Sequence, residues 1–560
     1  MKSYIVYLVV LLSILLSKDK KELEFNNNEN HEDYIKLFES SFNKLKVNFV
    51  DSVNESEMIK SGIKGMMKNL DPYTKLLEDN SLESFDILRK GKYGGVGIQI
   101  GLRRDTLTVL APMEDSPAYS EGIIAGDKIM KIDSTFTKGL NVSDASKIIK
   151  GEVGSTVVLG IYRPSTKEKI DFELKRSSIV VKHVPYWGID KNNIGYIRIT
   201  RFSRNASKDF KKGLEELQKQ NIKGLVIDLR GNSGGLLSNA INILDYLCER
   251  GELLLFSKGK TNRSNKEWKS RRKPILDIDT PIVVLVNKGS ASASEIVAGT
   301  LQDLDRAVII GQNTFGKGLV QHMYDLNDTI TLKITTSKYY LPSGRLIQKQ
   351  DYLDNGFLTD GLDKVDSLFT TKGGREVKGG NGIVPDIKTK KNILSPYVQE
   401  LWRQGVFLSF AASYVPFNKD LTVPVVIDSK IMKDFKLFIN DYQLEYKLKG
   451  EQEYLNFVDK MKQSPISINR FSKNIYFKES VNKSFIIKDS NMNYFDEIKK
   501  VQFLLEENQK WIKNGLEREL SKVIAGEKER IKASLNEDKE YKKAVDLILS
   551  LKEYYTILEF

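Results

Sequence analysis

Pro281-Ile282-Val283-Val284-Leu285-Val286 runs directly into Asn287-Lys288-Gly289-Ser290-Ala291-Ser292-Ala293-Ser294-Glu295, and then into Ile296, Val297, Leu301 and Leu304. The unbroken apolar run reads as a strand buried on both faces, and the last four residues have the spacing of an amphipathic helix. The unit is strand, small-residue turn, helix. It recurs along the chain. Apolar strands are expected at 194–199, 225–229, 282–286 and 308–310, alternating with helices at about 207–220, 236–249 and 294–304. Such alternation predicts a layered α/β domain with a mostly parallel sheet over about 180–394. Before it, helical spacing over 31–67 predicts two helices, stopped at Leu70-Asp71-Pro72 because proline opposes continuation. From Tyr93 the texture changes to short strands and glycine turns, with one helix over 142–149. Residues 258–273 and 351–380 read as polar loops, and the chain is helical in spacing from Tyr494.

With 560 residues the chain has room for several domains. Lys and Arg number 87 against 74 Asp and Glu, a net charge of +13. The lysines are scattered among Asn and Ile, and no arginine stripe, zinc-finger spacing or RNA-binding sheet motif accompanies them. The excess therefore reads as a solvated surface and not as a nucleic-acid interface. Cys248 is the single cysteine, which excludes an intrachain disulfide, and its apolar surroundings make it a core residue. At the start, Lys2 precedes an apolar stretch over 4–16 and then Ser17-Lys18-Asp19-Lys20-Lys21. This is the pattern of an export signal, shorter than the ~20 apolar residues that span a bilayer. We expect export, with residues 1–21 cleaved or kept as a membrane anchor; a buried N-terminal helix is the alternative.

Three stretches could carry chemistry. In the first, a serine on the tight turn at 287–295 would stand at a helix N-terminus, where free N–H groups and the helix dipole favour an oxyanion. Ser290, Ser294 and Glu295 also suit plain helix capping. A serine nucleophile needs a base. None of His31, His183 and His322 lies in a loop that presents an imidazole, although a histidine-dependent hydrolase stays open at this point. The second stretch, Asn313-Thr314-Phe315-Gly316-Lys317-Gly318, offers a lysine instead. A lysine base near pH 7 to 8 needs its pKa lowered by roughly 2 to 3, at about 1.4 kcal/mol each, which burial can supply. Gln321 could hold that amine without adding charge. The third stretch is Asp228-Leu229-Arg230-Gly231-Asn232-Ser233-Gly234-Gly235, whose paired glycines can aim backbone amides at an oxyanion or a phosphate, although it spells no nucleotide-binding loop.

Together these stretches resemble the carboxyl-terminal processing peptidases, also called tail-specific proteases. The likeness covers about 32–394 and takes in Asn69-Leu70-Asp71-Pro72-Tyr73 and Gly382-Ile383-Val384-Pro385-Asp386. The resemblance implies a Ser/Lys endopeptidase with an embedded PDZ domain and no metal or organic cofactor. Carried over, Ser292 is the nucleophile, Lys317 the base and Gln321 its support. Ala293 and the double glycine would hold the oxyanion, with Gly234 preferred over Gly235. Gly94 and Gly95-Val96-Gly97-Ile98 would form the PDZ loop and edge strand that capture a substrate's C-terminus, beside a helix presenting Val142, Ile148 and Ile149.

The implied architecture is multidomain α/β. It has an N-terminal helical region (30–85), a PDZ domain (90–176) and a ClpP/crotonase-like peptidase core (180–394). A mainly helical C-terminal extension of unassigned role (395–560) follows. Its partners would be proteins or peptides with apolar free C-termini, with room for an adaptor, for membrane association through the N-terminus and for oligomers. It would act in the periplasm or anchored on the extracytoplasmic side of a membrane. A PDZ scaffold that only binds is the non-enzymatic alternative.

Overall fold

The computed structural model describes residues 31–68, 70–349, 367–390, 393–442, 444–463 and 494–558. Residues 1–21, expected from sequence to be an export signal or anchor, lie outside them. Among the described residues no helix is long and apolar enough to cross a membrane. The chain divides into two units between Leu70 and Asp71. The first holds the helices His31–Asn48 and Glu55–Lys68, in the places the spacing predicts.

The second unit begins with the strand β1 (Lys75–Glu78) and the helix Asp79–Lys90, and leads into a small β domain. There β2 (Lys92–Gly95) pairs with β9 (Ser177–Val180). A separate sheet contains β3 (Ile98–Arg103), β4 (Thr106–Pro112), β5 (Lys128–Ile132), β7 (Thr156–Arg163) and β8 (Glu168–Lys175) in that order, with the short β6 (Thr135–Phe136) on β5. Alternate residues such as Val157, Leu159 and Ile161 point into one core, which the helix Val142–Ile149 covers with Ala145 and Ile149. β3 is an edge strand.

The larger domain is built on a six-stranded sheet. Its order is β10 (Tyr186–Ile189), β11 (Ile194–Arg198), β12 (Gly224–Asp228), β15 (Ile282–Val286), β16 (Val308–Gly311) and β21 (Ile387–Lys388). All neighbours are parallel except the first pair. Every residue of β15 is buried because both faces are covered. Ile282, Val284 and Val286 meet the helices Ala206–Gln218, Leu237–Asp245 and Ala293–Asp303. Val283 and Leu285 face the other way, onto Tyr541, Val545, Ile548, Tyr554 and Leu558. That second layer gives the end of the 395–560 extension, whose role the sequence left unassigned, a place in the core. The last helices, Lys539–Leu549 and Leu551–Leu558, complete the core of the α/β domain. Cys248 lies buried in the first layer, and burial pushes its thiol up to about 12, as expected of a packing residue.

Two loop expectations also change. Residues 258–273 contain the end of β13 (Leu253–Gly259) and all of β14 (Lys266–Lys269), which pair with each other. β13 joins β18 (Ile330–Tyr340), which also carries β17 (Leu319–Asn327) and β1, to make a second sheet. Within 351–380, residues 351–366 lie outside the described residues, and β19 (Leu368–Thr370) and β20 (Glu376–Lys378) form a hairpin. Polar side chains hid these strands because one of their faces is open to solvent.

An ion cluster ties the C-terminal layer to the site loops. Asp228, at the end of β12, is fully buried; burial would raise its carboxyl, but Arg230 and Arg198 outweigh it and hold it well below the usual range. Arg230 reaches on to Asp538 (2.6 Å) and Glu540 (2.7 Å), and Asp538 caps the helix Lys539–Leu549.

Candidate active site

Three loops at the C-terminal ends of the parallel strands meet, which is where open α/β sheets place their sites. β15 ends in the turn carrying Ser290, Ser292 and Ser294, and the structure separates the three serines. Ser290 Oγ is buried and donates to the Leu229 carbonyl (2.8 Å). Ser294 Oγ, also buried, donates to the Asn232 carbonyl (2.8 Å). These two bind the turn to the loop after β12. Ser292 is half-buried and precedes the helix Ala293–Asp303 with φ 54° and ψ −112°. A non-glycine residue in that region is strained, of order 1–3 kcal/mol, and the surrounding bonds must hold it there. This is the geometry of a nucleophile elbow without the usual glycines.

The holding group is Glu295, which sequence reading left as a helix-end acid. Its side chain is fully buried and accepts four hydrogen bonds. Ser292 N (2.7 Å) and Lys317 N (2.9 Å) donate to Oε2; Gly316 N (2.6 Å) and Thr314 Oγ1 (2.5 Å) donate to Oε1. One carboxylate therefore fixes the Ser292 turn and the Lys317 loop against each other. Burial pushes its pKa up, and the four donors oppose that rise. The buried Tyr339 hydroxyl adds a second bridge, lying against the carbonyls of Lys317 and Ser292. Glu295 was legible only as the third residue of a capping box following Ser292.

Lys317 Nζ donates to Gln321 Oε1 (2.6 Å), and Gln321 Nε2 donates to Thr335 Oγ1 (3.3 Å) on β18. Burial, with Lys333 nearby, lowers the Lys317 pKa from 10.5 to about 8, against the opposing pull of Asp71 and Glu295. A substantial neutral fraction thus exists near pH 8. The histidines are placed differently. His322 follows Gln321 in β17 and so points to the opposite face of the strand, where its Nδ1 meets Thr336 Oγ1 (2.6 Å). His183 is held down at about 4 by burial and by Arg201.

The loop after β12 brings the double glycine to Ser292. A Cβ on Gly234 would lie 2.7 Å from the Ala291 carbonyl oxygen and 2.9 Å from Ser292 Cβ, and its φ is +95°. Only glycine permits that approach. The Gly234 N–H, preferred from sequence as an oxyanion donor, is donated to Asn232 Oδ1 (2.9 Å). The Gly235 N–H, next along the loop, makes no hydrogen bond to a described residue.

In the small β domain, Gly95 ends β2 and Ile98 begins β3, the edge strand. The Val96 and Gly97 carbonyls accept from Ala118 N (3.0 Å) and Met113 N (2.7 Å). Val96 is a fully buried core residue and Ile149 lies in the same core, so Ile149 is not a groove wall as expected; Val142 and Ile148 are only partly buried.

Models of known families match this chain in three places: peptidase family S41 over residues 193–356, a PDZ domain over 94–174, and the C-terminal helical domain of probable PDZ-proteases over 497–548. The last match carries the likeness beyond residue 394, where sequence reading ended it. The carboxy-terminal-processing protease of Bartonella bacilliformis is 34% identical over 343 residues, covering 60% of this chain and 78% of that one. The carboxyl-terminal-processing protease of a Picosynechococcus species is 38% identical over 286 residues, covering 50% and 67%. Among solved structures, a photosystem II D1 C-terminal processing protease is similar over 64% of this chain and 86% of its own, with 28% identity and a TM-score of 0.35. With the S41 core and the PDZ fold both matched and a relative covered over most of its length, the chain belongs to peptidase family S41, as a carboxy-terminal processing serine protease that carries a PDZ domain.

Proposed function

We propose that this protease cuts by a Ser292/Lys317 dyad and takes its substrates by their apolar, free C-terminal tails. The observation that carries the reading is the Glu295 carboxylate shared by the Ser292 and Lys317 amides, beside an amine lowered to about 8 and held by Gln321. Neutral Lys317 Nζ accepts the Ser292 hydroxyl proton as Oγ attacks the scissile carbonyl carbon. Charge moves to the carbonyl oxygen, where the Ala293 and Gly235 amides donate to it. Lys317 returns the proton to the leaving nitrogen, the C–N bond breaks, and an ester to Ser292 remains. Water, deprotonated by the same amine, hydrolyses the ester and frees the serine.

Tail capture follows from strand addition. An extended peptide lies along the edge strand β3, and the amides of Gly95 through Ile98 receive its carboxylate. The charged and apolar start of the sequence is the basis for placing the enzyme outside the cytoplasm, in the periplasm or anchored at its membrane face.

Amidating the C-terminus of an unstructured apolar-tailed peptide tests the tail reading. Hydrogen bonds to a charged carboxylate contribute about 1.5–3 kcal/mol, so kcat/KM is expected to fall about ten- to a hundredfold. Equal cleavage of acid and amide would remove the PDZ module from substrate choice.

A further inference from the structure

The segment Asp71-Pro72-Tyr73-Thr74 precedes β1 and lies against the amine of Lys317. Tyr73 places its ring centroid 4.4 Å from Lys317 Nζ. The turn that presents the ring is closed by Asp71, whose Oδ1 accepts from Tyr73 N (2.7 Å) and Thr74 N (2.9 Å), and whose Oδ2 accepts from Thr74 Oγ1 (2.6 Å). Thr74 Oγ1 in turn accepts from Thr335 N (3.2 Å). Thr335 is the residue whose hydroxyl receives Gln321 Nε2, and Gln321 holds Lys317. The contacts close on themselves: Lys317, Gln321, Thr335, Thr74, Asp71, Tyr73 and back to Lys317. β1 keeps this turn in register, pairing Lys75 through Glu78 with Lys333 through Ile330 of β18.

We propose that Tyr73 is a positioning residue for the base: its ring closes the site of Lys317 against water and keeps Nζ on the Gln321 side. The proposal rests on the Ser/Lys reading above. A ring acts on this amine in two opposite ways. Its face attracts the ammonium, and its bulk keeps water away and favours the neutral amine. Burial is the largest influence on Lys317 and lowers it, so exclusion of water prevails. The charged groups facing the amine from other elements are Lys333 on β18, which adds to the lowering, and Asp71 and Glu295, which oppose it.

The test is kcat/KM of the full chain from pH 6 to 10.5, on a peptide with an apolar free C-terminus. Tyr73→Ala admits water, so the midpoint of the rising limb is expected to move up by about one pH unit, an about tenfold loss at pH 7 that recovers near pH 10. Tyr73→Phe keeps the ring and is expected to restore the midpoint. If Tyr73→Ala fails to fold, which thermal unfolding reports, Tyr73→Leu stands in: it uncovers part of the amine and is expected to move the midpoint up by a smaller step. A merely structural role would lower activity by one factor at every pH. That result, or an unmoved midpoint in Tyr73→Ala or in its Tyr73→Leu stand-in, overturns the assignment while leaving the dyad intact. A wild-type limb that persists in Lys317→Ala overturns both.

Discussion

Ser292→Ala is expected to lower kcat by about a millionfold, and Lys317→Ala by a comparable factor, with the double variant no slower than either single one. The non-additivity is the informative part. Nucleophile and base act as a unit, so removing one leaves nothing for the other to do, and what survives comes from binding and the oxyanion amides. Lys317→Arg sharpens the test. Arginine keeps the positive charge but stays protonated, so it cannot accept the serine proton. If Lys317 served only to stabilise charge, Lys317→Arg would retain much of the activity; as a base it retains almost none. Rates on an unstructured peptide, with active-site acylation followed by mass, separate these cases.

Glu295→Gln carries the second large effect, and it acts through geometry. The carboxylate accepts at both oxygens, two donors at each. A glutamine in the same place has one accepting oxygen, and its NH2 must face one of those donor pairs. Either Ser292 N and Lys317 N, or Gly316 N and Thr314 Oγ1, lose their acceptor. Unsatisfied buried donors cost about 1–3 kcal/mol each, and the strained backbone at Ser292 loses the bond that holds it. Since a misplacement of about 1 Å can cost about a hundredfold, kcat is expected to fall at least that far while KM changes little. The midpoint of thermal unfolding should fall as well. A variant with wild-type kcat would show that the shared carboxylate does not set the alignment of serine and lysine.

The parallel core was legible because its strands are apolar on both faces, as Ile282–Val286 illustrates. Ser292 and Lys317 were legible as types on small-residue loops at strand ends, and Gln321 as a neutral polar residue four positions after the lysine. What brings them together was not. Glu295 looks like any acid in a first helical turn, and its role depends on a loop 19 to 22 residues away. The Gly234 amide was preferred from position alone, but Asn232, two residues earlier, already uses it. The closing layer of the sheet was missed for another reason. In Lys539–Leu549 the buried stripe of Tyr541, Ala544, Val545 and Ile548 alternates with lysines, so the helix reads as a solvated surface until the uncovered face of β15 is seen. The strands of the second sheet were lost in the same way, with charged residues on their open faces.

The most direct test of the account is the pH dependence of kcat/KM for the full chain on a peptide with an apolar free C-terminus, wild type beside Lys317→Ala. A base that works as a neutral amine with pKa about 8 gives a rate that rises with pH and levels off above that value. The account predicts this limb in the wild type and no measurable limb at any pH in Lys317→Ala. A limb near pH 6.5 that survives the substitution would contradict it and assign the base to a histidine.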